Sequence, residues 1–131
     1  MPFLVREGDP TTSDGVVLNT SSSVYIDMVR VARMGDPVWC PACDSVGFIA
    51  QGNPTYIDEL VAVATHGHAV ECGCAPGSNR LIASQKKFQA DMDAAINLPD
   101  DLGMKARLRA EGLTHSLQSG TYQLPEIQPS A

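Results

Sequence analysis

Short apolar runs bounded by turn residues recur along the first two-thirds of the chain. Val29 and Val31 are spaced two apart, as are Val61 and Val63, and Gly-Asp-Pro or Gly-Asn-Pro triplets stand beside such runs. A two-residue apolar period with Gly- and Pro-containing turns is typical of short β-strands. The pattern therefore predicts a mainly β fold built from many short strands.

The apolar pattern is also an internal repeat. Residues 29–40 (VRVARMGDPVWC) align without a gap on residues 61–72 (VAVATHGHAVEC), and a Tyr-Ile-Asp triplet precedes each copy. A more diverged copy lies at residues 3–13 (FLVREGDPTTS), where Ser13 takes the place of the cysteine that ends the other two. Nearly three copies of one unit predict an arrangement about a common axis, with equivalent positions meeting near it.

The pattern changes after residue 85. Apolar residues four apart predict a helix that starts near Ser84 and ends at Pro99, and a second short helix follows, capped by Asp100 or Asp101 and ended by Gly112. The apolar stripe of the first helix consists of Phe88, Met92 and Ile96. The sequence thus divides into a repeat domain, residues 1–85, and an extension, residues 86–131, which is partly helical and has a flexible Pro-containing tail, QLPEIQPSA.

Charge excludes some classes of function. The 131 residues carry a formal net charge of −6, which disfavours a protein that tracks nucleic-acid phosphates. No apolar run approaches the roughly 20 residues of a transmembrane helix, so no stable membrane insertion is expected. Charged residues at Arg6, Glu7 and Asp9 stand where a signal peptide would be apolar. We therefore expect synthesis in the cytoplasm without export by the general secretory route.

Cysteines and histidines supply the candidate chemistry. Four cysteines without a signal peptide favour metal binding or redox chemistry over disulfides. The repeat brings Cys40 and Cys72 to equivalent positions, and Cys43 lies three residues beyond Cys40, a zinc-knuckle spacing. Thiolates and imidazole suit a four-coordinate structural zinc. The predicted metal ligands are Cys40, Cys43, His68 and Cys72, with His66 and Cys74 as alternatives.

Other interpretations of these residues stay open. Cys40 and Cys72 could be small buried apolar residues, and Cys43 a turn residue. His66 and His68, separated by one glycine, cannot both bind one ion without a bent backbone. The CPAC segment could be a redox motif, although a turn and a strand follow it instead of the helix of a βαβ unit. A zinc or thiol redox enzyme is therefore the alternative function, and a carrier fragment of a toxin effector is another.

These segments resemble a known family, the PAAR-repeat proteins. The resemblance rests on VREGDPTTSDGVVL, VRVARMGDPVWCP, GNPTYID and VATHGHAVECGC with the later LIAS, and covers about residues 3–85. Family members carry His-Gly-His and Cys-Gly-Cys steps that match His66, His68, Cys72 and Cys74 here. Two departures stand out, because many members have a histidine at the position of Ser13 and another where this chain offers Cys43.

The resemblance implies a fold and a role. The fold is a small conical β-prism with three-fold pseudosymmetry, and a zinc ion lies near its point. Such proteins are non-enzymatic tips of the type VI secretion spike: one cone caps each trimeric VgrG needle and sharpens it for membrane puncture. The resemblance also implies that the protein is made in the bacterial cytoplasm and exported by the type VI machinery. We further expect residues 86–131 either to pack on the flank of the cone or to contact an effector or adaptor.

Overall fold

The computed structural model describes residues 1–129 and is mainly β, with one C-terminal helix. The strands are β1 (Val16–Val17), β2 (Tyr25–Ile26), β3 (Val29–Arg30), β4 (Pro37–Cys40), β5 (Ser45–Ile49), β6 (Gln51–Asp58), β7 (Val61–Val63), β8 (Val70–Glu71) and β9 (Ile96–Asn97), and the helix α1 is Asp100–Ser119. The strands form antiparallel sheets in the orders β1-β4-β5-β8, β2-β3 and β7-β6-β9. The prediction of a small, mainly β domain with a short helical extension is confirmed.

A closed ring of three main-chain hydrogen bonds relates the three repeats. The N–H of Val5 donates to the carbonyl of Ala64 (3.0 Å), that of Ala32 to Val5 (2.8 Å) and that of Ala64 to Ala32 (2.9 Å). All three residues are fully buried. Because each copy donates to one neighbour and accepts from the other, the copies surround a pseudo-three-fold axis, in agreement with the sequence repeat.

The turn that follows the ring is also repeated three times. Gly8, Gly35 and Gly67 have φ values of +84°, +93° and +89°, in the left-handed region that glycine adopts without a steric penalty. The N–H of each glycine donates to a carbonyl 9 to 14 residues further along the chain. The bonds run from Gly8 to Val17 (2.8 Å), from Gly35 to Ile49 (2.7 Å) and from Gly67 to Leu81 (2.9 Å). The shared geometry explains why the glycine is kept in all three copies.

Two hairpin tips at the outer strands carry exposed apolar side chains. The β2–β3 turn has Asp27 and Met28 at positive φ, and the β6–β7 turn has Glu59 and Leu60 at positive φ. Met28 and Leu60 are each 94% exposed. A positive φ strains the backbone of a residue other than glycine, and exposure to water is unfavourable for a long apolar side chain. These two tips are therefore candidates for contact with another molecule.

The third corner is completed by the N-terminal residues together with the first residues of the extension. Phe3 pairs with Gln89 as an isolated bridge, and the N–H of Ala90 donates to the carbonyl of Pro2 (2.9 Å). The N-terminal residues therefore take the place that an unbroken hairpin occupies in the other two copies.

The helix predicted over residues 84–99 is wrong. This segment is extended, with strand β9 pairing to β6 through Gln51 and Gly52. Leu4 donates its N–H to the carbonyl of Phe88 (3.1 Å), which completes the third repeat. Phe88 and Met92 are 53% and 60% exposed, so the apolar stripe does not face a core. Main-chain pairing with a distant segment outweighed the local four-residue period.

Helix α1 is longer than predicted. The predicted end at Gly112 is wrong, because the helix continues to Ser119 and ends at Gly120, whose φ is +79°. The predicted aspartate cap is also wrong, since Pro99 is the N-cap residue and no side chain bonds to the first turn. Asp100 and Asp101 instead lie in that turn, where negative charge favours the helix dipole.

Packing of α1 covers one side of the repeat domain. Ala106 and Ala110 are its buried residues, and the hydroxyl of Thr114 accepts the N–H of Val46 in β5 (2.9 Å). The apolar cluster beneath it joins both parts of the chain and contains Val16, Leu18, Val46 and Ala110, with Trp39, Leu113, Leu117 and Tyr122 beside them. Among residues 1–129, no helix has the length and apolar character needed to cross a bilayer.

The C-terminal tail returns to the first repeat. Residues 123–129 form neither helix nor strand, and the N–H of Gln128 donates to the carbonyl of Gly8 (2.9 Å). The last part of the tail predicted to be flexible, residues 130–131, lies outside the described residues.

Candidate metal centre

Two adjacent hairpin ends position the four cysteines. Cys40 is the last residue of β4, and Cys43 lies in the turn that leads into β5. Strand β8 pairs with the far end of β5, with Phe48 opposite Glu71, and Cys72 and Cys74 follow directly. Gly47 permits this approach, because a Cβ there would collide with the carbonyl of Glu71. The β-ladder therefore brings the CPAC and CGC segments together.

The four sulfur atoms form one compact group. The Sγ atoms of Cys40, Cys43, Cys72 and Cys74 all lie within 4.8 Å of one another. Cys40 Sγ is 3.6 Å from the sulfurs of both Cys72 and Cys74. Four thiolates around a tetrahedral zinc, with Zn–S bonds of about 2.3 Å, stand about 3.8 Å apart. The group therefore has the donor chemistry and close to the spacing that a tetrahedral thiophilic ion needs.

Hydrogen bonds to sulfur surround the group. The N–H of Gly73 donates to Cys43 Sγ (3.3 Å), and the amide of Asn79 donates to Cys72 Sγ (3.7 Å). Ser45 Oγ lies 3.4 Å from Cys43 Sγ. Donors aimed at sulfur favour the thiolate, the form that binds metal.

Burial and hydrogen bonding make the thiols unequal. Burial raises the pKa of Cys40 to about 12, because the side chain is withdrawn from water among other thiols. Burial also raises the pKa of Cys43, but hydrogen bonds from Ser45, the Cys40 thiol and the Gly73 N–H outweigh it and lower the value to about 7. All four cysteines are free thiols in the structure, so an incoming cation would displace protons from them.

The two histidines are engaged elsewhere. His68 is 5% exposed; its Nδ1 accepts the N–H of Thr65 (3.0 Å), and its Nε2 is 3.1 Å from the carbonyl of Ala94. Burial lowers the pKa of His68, which favours the neutral ring. His66 Nδ1 accepts the N–H of Ala83 (3.0 Å). Of the six candidate ligands, the structure brings together the four cysteines, and neither histidine belongs to that group.

The repeat explains why His68 has this role. In the first copy Asp9 Oδ2 accepts the N–H of Arg6 (2.8 Å), and in the second Asp36 Oδ2 accepts that of Arg33 (2.8 Å). His68 Nδ1 makes the same bond across the same three-residue turn. The ring thus replaces a structural carboxylate. The aspartates at the two equivalent positions are the sequence signal that points to this hydrogen bond in the third copy.

A cleft opens beside the cysteine group. Its volume is about 750 Å³, and it lies between the β5–β8 strands and helix α1. Cys72, Gly73 and Cys74 line one wall, and the opposite wall includes Glu111 and His115. At the adjoining surface Arg107 pairs with Glu71 (3.0 Å). The cysteines therefore adjoin a surface that combines repeat domain and extension.

Comparison with protein families identifies the family to which the repeats belong. The model of the PAAR motif matches residues 7–76, which is more than half of the chain and includes all four cysteines. The chain belongs to the PAAR-motif family. This family comprises spike-tip components of type VI secretion systems, which associate with a VgrG-type spike and are typically structural proteins. No curated protein matches the chain at a significant level.

Proposed function

We propose that this PAAR protein caps the trimeric VgrG needle of a type VI secretion spike and sharpens it for membrane puncture. The observation that carries the proposal is the closed hydrogen-bond ring of Val5, Ala32 and Ala64, which gives one short chain a pseudo-three-fold axis. A three-fold partner can present equivalent surfaces to three equivalent corners of one such chain. One cone per trimer follows from that symmetry, and the protein would leave the bacterial cytoplasm with the spike.

The hairpin tips supply the docking contact. Met28 and Leu60 occupy corresponding turns of two repeats and are each 94% exposed. Met1, at the corner where the N-terminus pairs with the end of the third repeat, is 77% exposed. Burying these apolar side chains against a trimer would remove them from water at three places at once, at roughly 25 cal/mol for each Å² buried.

The metal would be zinc with a structural role. Cys40, Cys43, Cys72 and Cys74 would provide four sulfur ligands, with Cys74 in place of the predicted ligand His68. Four protein ligands complete a tetrahedral shell and leave no position open for water or substrate, which is the character of a structural site and not of a catalytic one. When bound, the ion would join the ends of two repeats where few apolar side chains are available.

The extension would serve as an attachment point for an effector or adaptor. Helix α1 is fixed to β5 through Thr114 and Val46, and it presents Met104 and Leu108, 68% and 64% exposed, on its outer side. An exposed apolar pair one helical turn apart on a rigid support is suited to contact with another protein. The division into residues 1–85 and 86–131 stays a prediction.

Co-elution with the trimeric VgrG protein of the same secretion system tests the docking role. We expect a complex of one chain per trimer in size-exclusion chromatography with light scattering. The double variant Met28→Asp with Leu60→Asp should lose the complex, since aspartate is tolerated at positive φ and replaces each apolar contact by a charge. Met104→Asp with Leu108→Asp is the matched control and should still bind. Retained binding by the hairpin-tip variant, or no complex with the unaltered chain, would contradict the proposal.

A further inference from the structure

The repeat has one exception close to the cysteines. Val17, Ile49 and Leu81 are equivalent residues of the three copies, because the carbonyl of each accepts the N–H of the positive-φ glycine in its own copy. The residues two positions before them are therefore equivalent as well. In the first two copies this position is Gly15 and Gly47, and in the third it is Asn79.

Glycine is required at the first two positions. A Cβ at Gly15 would collide with the carbonyl of Trp39, and one at Gly47 would collide with that of Glu71. The third copy departs from this requirement with a branched, polar side chain that is 1% exposed. Burying an amide costs free energy unless its polar atoms are paired, so the exchange of glycine for asparagine calls for a specific compensating contact.

That contact is with sulfur. Asn79 Nδ2 donates to Cys72 Sγ at 3.7 Å, and the main-chain carbonyl of Asn79 accepts the N–H of Val70 (2.9 Å), which holds the residue beside β8. Within residues 1–129 the amide oxygen Oδ1 is buried without a hydrogen-bond partner. The side chain therefore places its donor on the sulfur even though its acceptor stays unpaired.

We propose that Asn79 is a positioning residue of the metal centre. Its N–H···S bond orients Cys72 Sγ and withdraws negative charge from the thiolate, as residues around a metal site commonly do for the ligands. This inference rests on the proposed four-cysteine metal centre. It adds a residue outside the Cys-x-x-Cys and Cys-x-Cys segments, one that repeat equivalence reveals and ligand spacing does not.

Cobalt and zinc binding by the full chain test the proposal. Asn79→Asp keeps the shape of the side chain but removes the donor, and Asn79→Leu removes it without adding charge. We expect both variants to bind Zn²⁺ about 10–100-fold more weakly in competition with a chromophoric chelator. The sulfur-to-cobalt charge-transfer band should move to lower energy, because a thiolate without its hydrogen bond is easier to oxidise. A loss of stability alone would not move this band.

Asn53→Asp is the matched control. Asn53 is also fully buried, and its amide donates to the carbonyl of Met92 (2.7 Å) in another part of the fold. This variant should keep both the zinc affinity and the cobalt spectrum. Unchanged affinity and band position in both Asn79 variants would overturn the role of Asn79 while leaving the metal centre intact. An unaltered chain without a tetrathiolate cobalt spectrum would overturn the metal centre itself, and the inference with it.

Discussion

Cys40 Sγ lies 3.6 Å from Cys72 Sγ, although the two residues are 32 positions apart in the chain. They end equivalent segments of two repeats, so the three-fold pseudosymmetry brings them together. A tetrahedral ion held by both would connect the second repeat to the third. The free energy of metal binding would then contribute directly to the free energy of unfolding.

Replacing Cys72 by serine should therefore remove the metal and lower the melting temperature. Zinc at about 1,000 times its Kd contributes about 4 kcal/mol to stability. We expect about one zinc per chain in the unaltered protein by elemental analysis and little in Cys72→Ser, together with a fall in Tm of about 10 °C or more. Ser13→Ala, at the equivalent position of the first repeat, is the control and should keep its zinc. Equal melting curves for Cys72→Ser and the unaltered chain would remove Cys72 from the site.

His68 should contribute to folding and not to metal binding. His68→Asn retains an acceptor for the Thr65 N–H, so we expect the variant to keep one zinc per chain. Burial lowers the pKa of His68 below its ordinary value of 6.5, which means that the unfolded chain binds the proton more readily. Stability should consequently fall as the pH is lowered through 6.5, until the pH passes the folded pKa.

Urea unfolding at several pH values between 7.5 and 5 measures this dependence. The unaltered chain should lose more stability across this range than His68→Asn. The difference between the two chains reports protonation of the imidazole, because protonation of the cysteine ligands affects both chains alike. Loss of zinc from the His68→Asn variant would show that His68 is a metal ligand.

The repeat made the architecture predictable, because identity at equivalent positions reports a shared backbone geometry. Gly8, Gly35 and Gly67 share their positive φ, and Cys40 and Cys72 meet. The extension was predicted less well. Its four-residue apolar period predicts a helix, but that period carries no information about pairing with the N-terminus, which makes the segment that contains Phe88 extended.

The same limit applies to the candidate site, where residue spacing and repeat equivalence predict part of the sulfur group and the path of the chain decides the rest. Three cysteines of the predicted ligand set lie in the sulfur group, because their spacing and repeat equivalence reflect the strands that hold them. Whether His68 or Cys74 lies beside these three cysteines depends on the path of the chain after β8, which a two-residue spacing does not specify. Asn79 lies outside both cysteine segments, and its role follows from comparison of the three copies with the structure in hand.

Asp58 should be the principal buried carboxylate for stability. It is 8% exposed and accepts hydrogen bonds from the hydroxyls of Ser22 (2.8 Å) and Ser23 (2.8 Å), and it lies 3.6 Å from Arg33. Burial raises its pKa, but the hydrogen bonds from Ser23 and Ser22 and the charge of Arg33 outweigh burial and lower the pKa. Its stabilisation is therefore present above the ordinary pKa of 3.8 and is lost as the pH falls below that value.

Asp58→Asn should cost about 1.5–3 kcal/mol at pH 7, the range for hydrogen bonds to a charged group. Asp27→Asn is the control, because Asp27 pairs with Lys87 at an exposed position, where an ion pair contributes at most about 1 kcal/mol. Chemical denaturation at pH 7 and pH 3 compares the two variants with the unaltered chain. A cost for Asp58→Asn that is the same at both pH values would show that its charge is not what stabilises the fold.

Two glycines of the extension should respond to alanine in opposite directions. Gly112 lies inside α1, and a Cβ there would meet nothing within 4 Å, so Gly112→Ala gains helix propensity without a clash. We expect it to stabilise the chain by about 1 kcal/mol. Gly120 ends the helix at a φ of +79°, where alanine is strained, so Gly120→Ala should destabilise the chain by about 1 kcal/mol. Thermal unfolding followed by circular dichroism at 222 nm measures both changes. Destabilisation by Gly112→Ala would mean that the helix ends near residue 112 in solution, and that the contact between Thr114 and Val46 is not what holds the extension on the repeat domain.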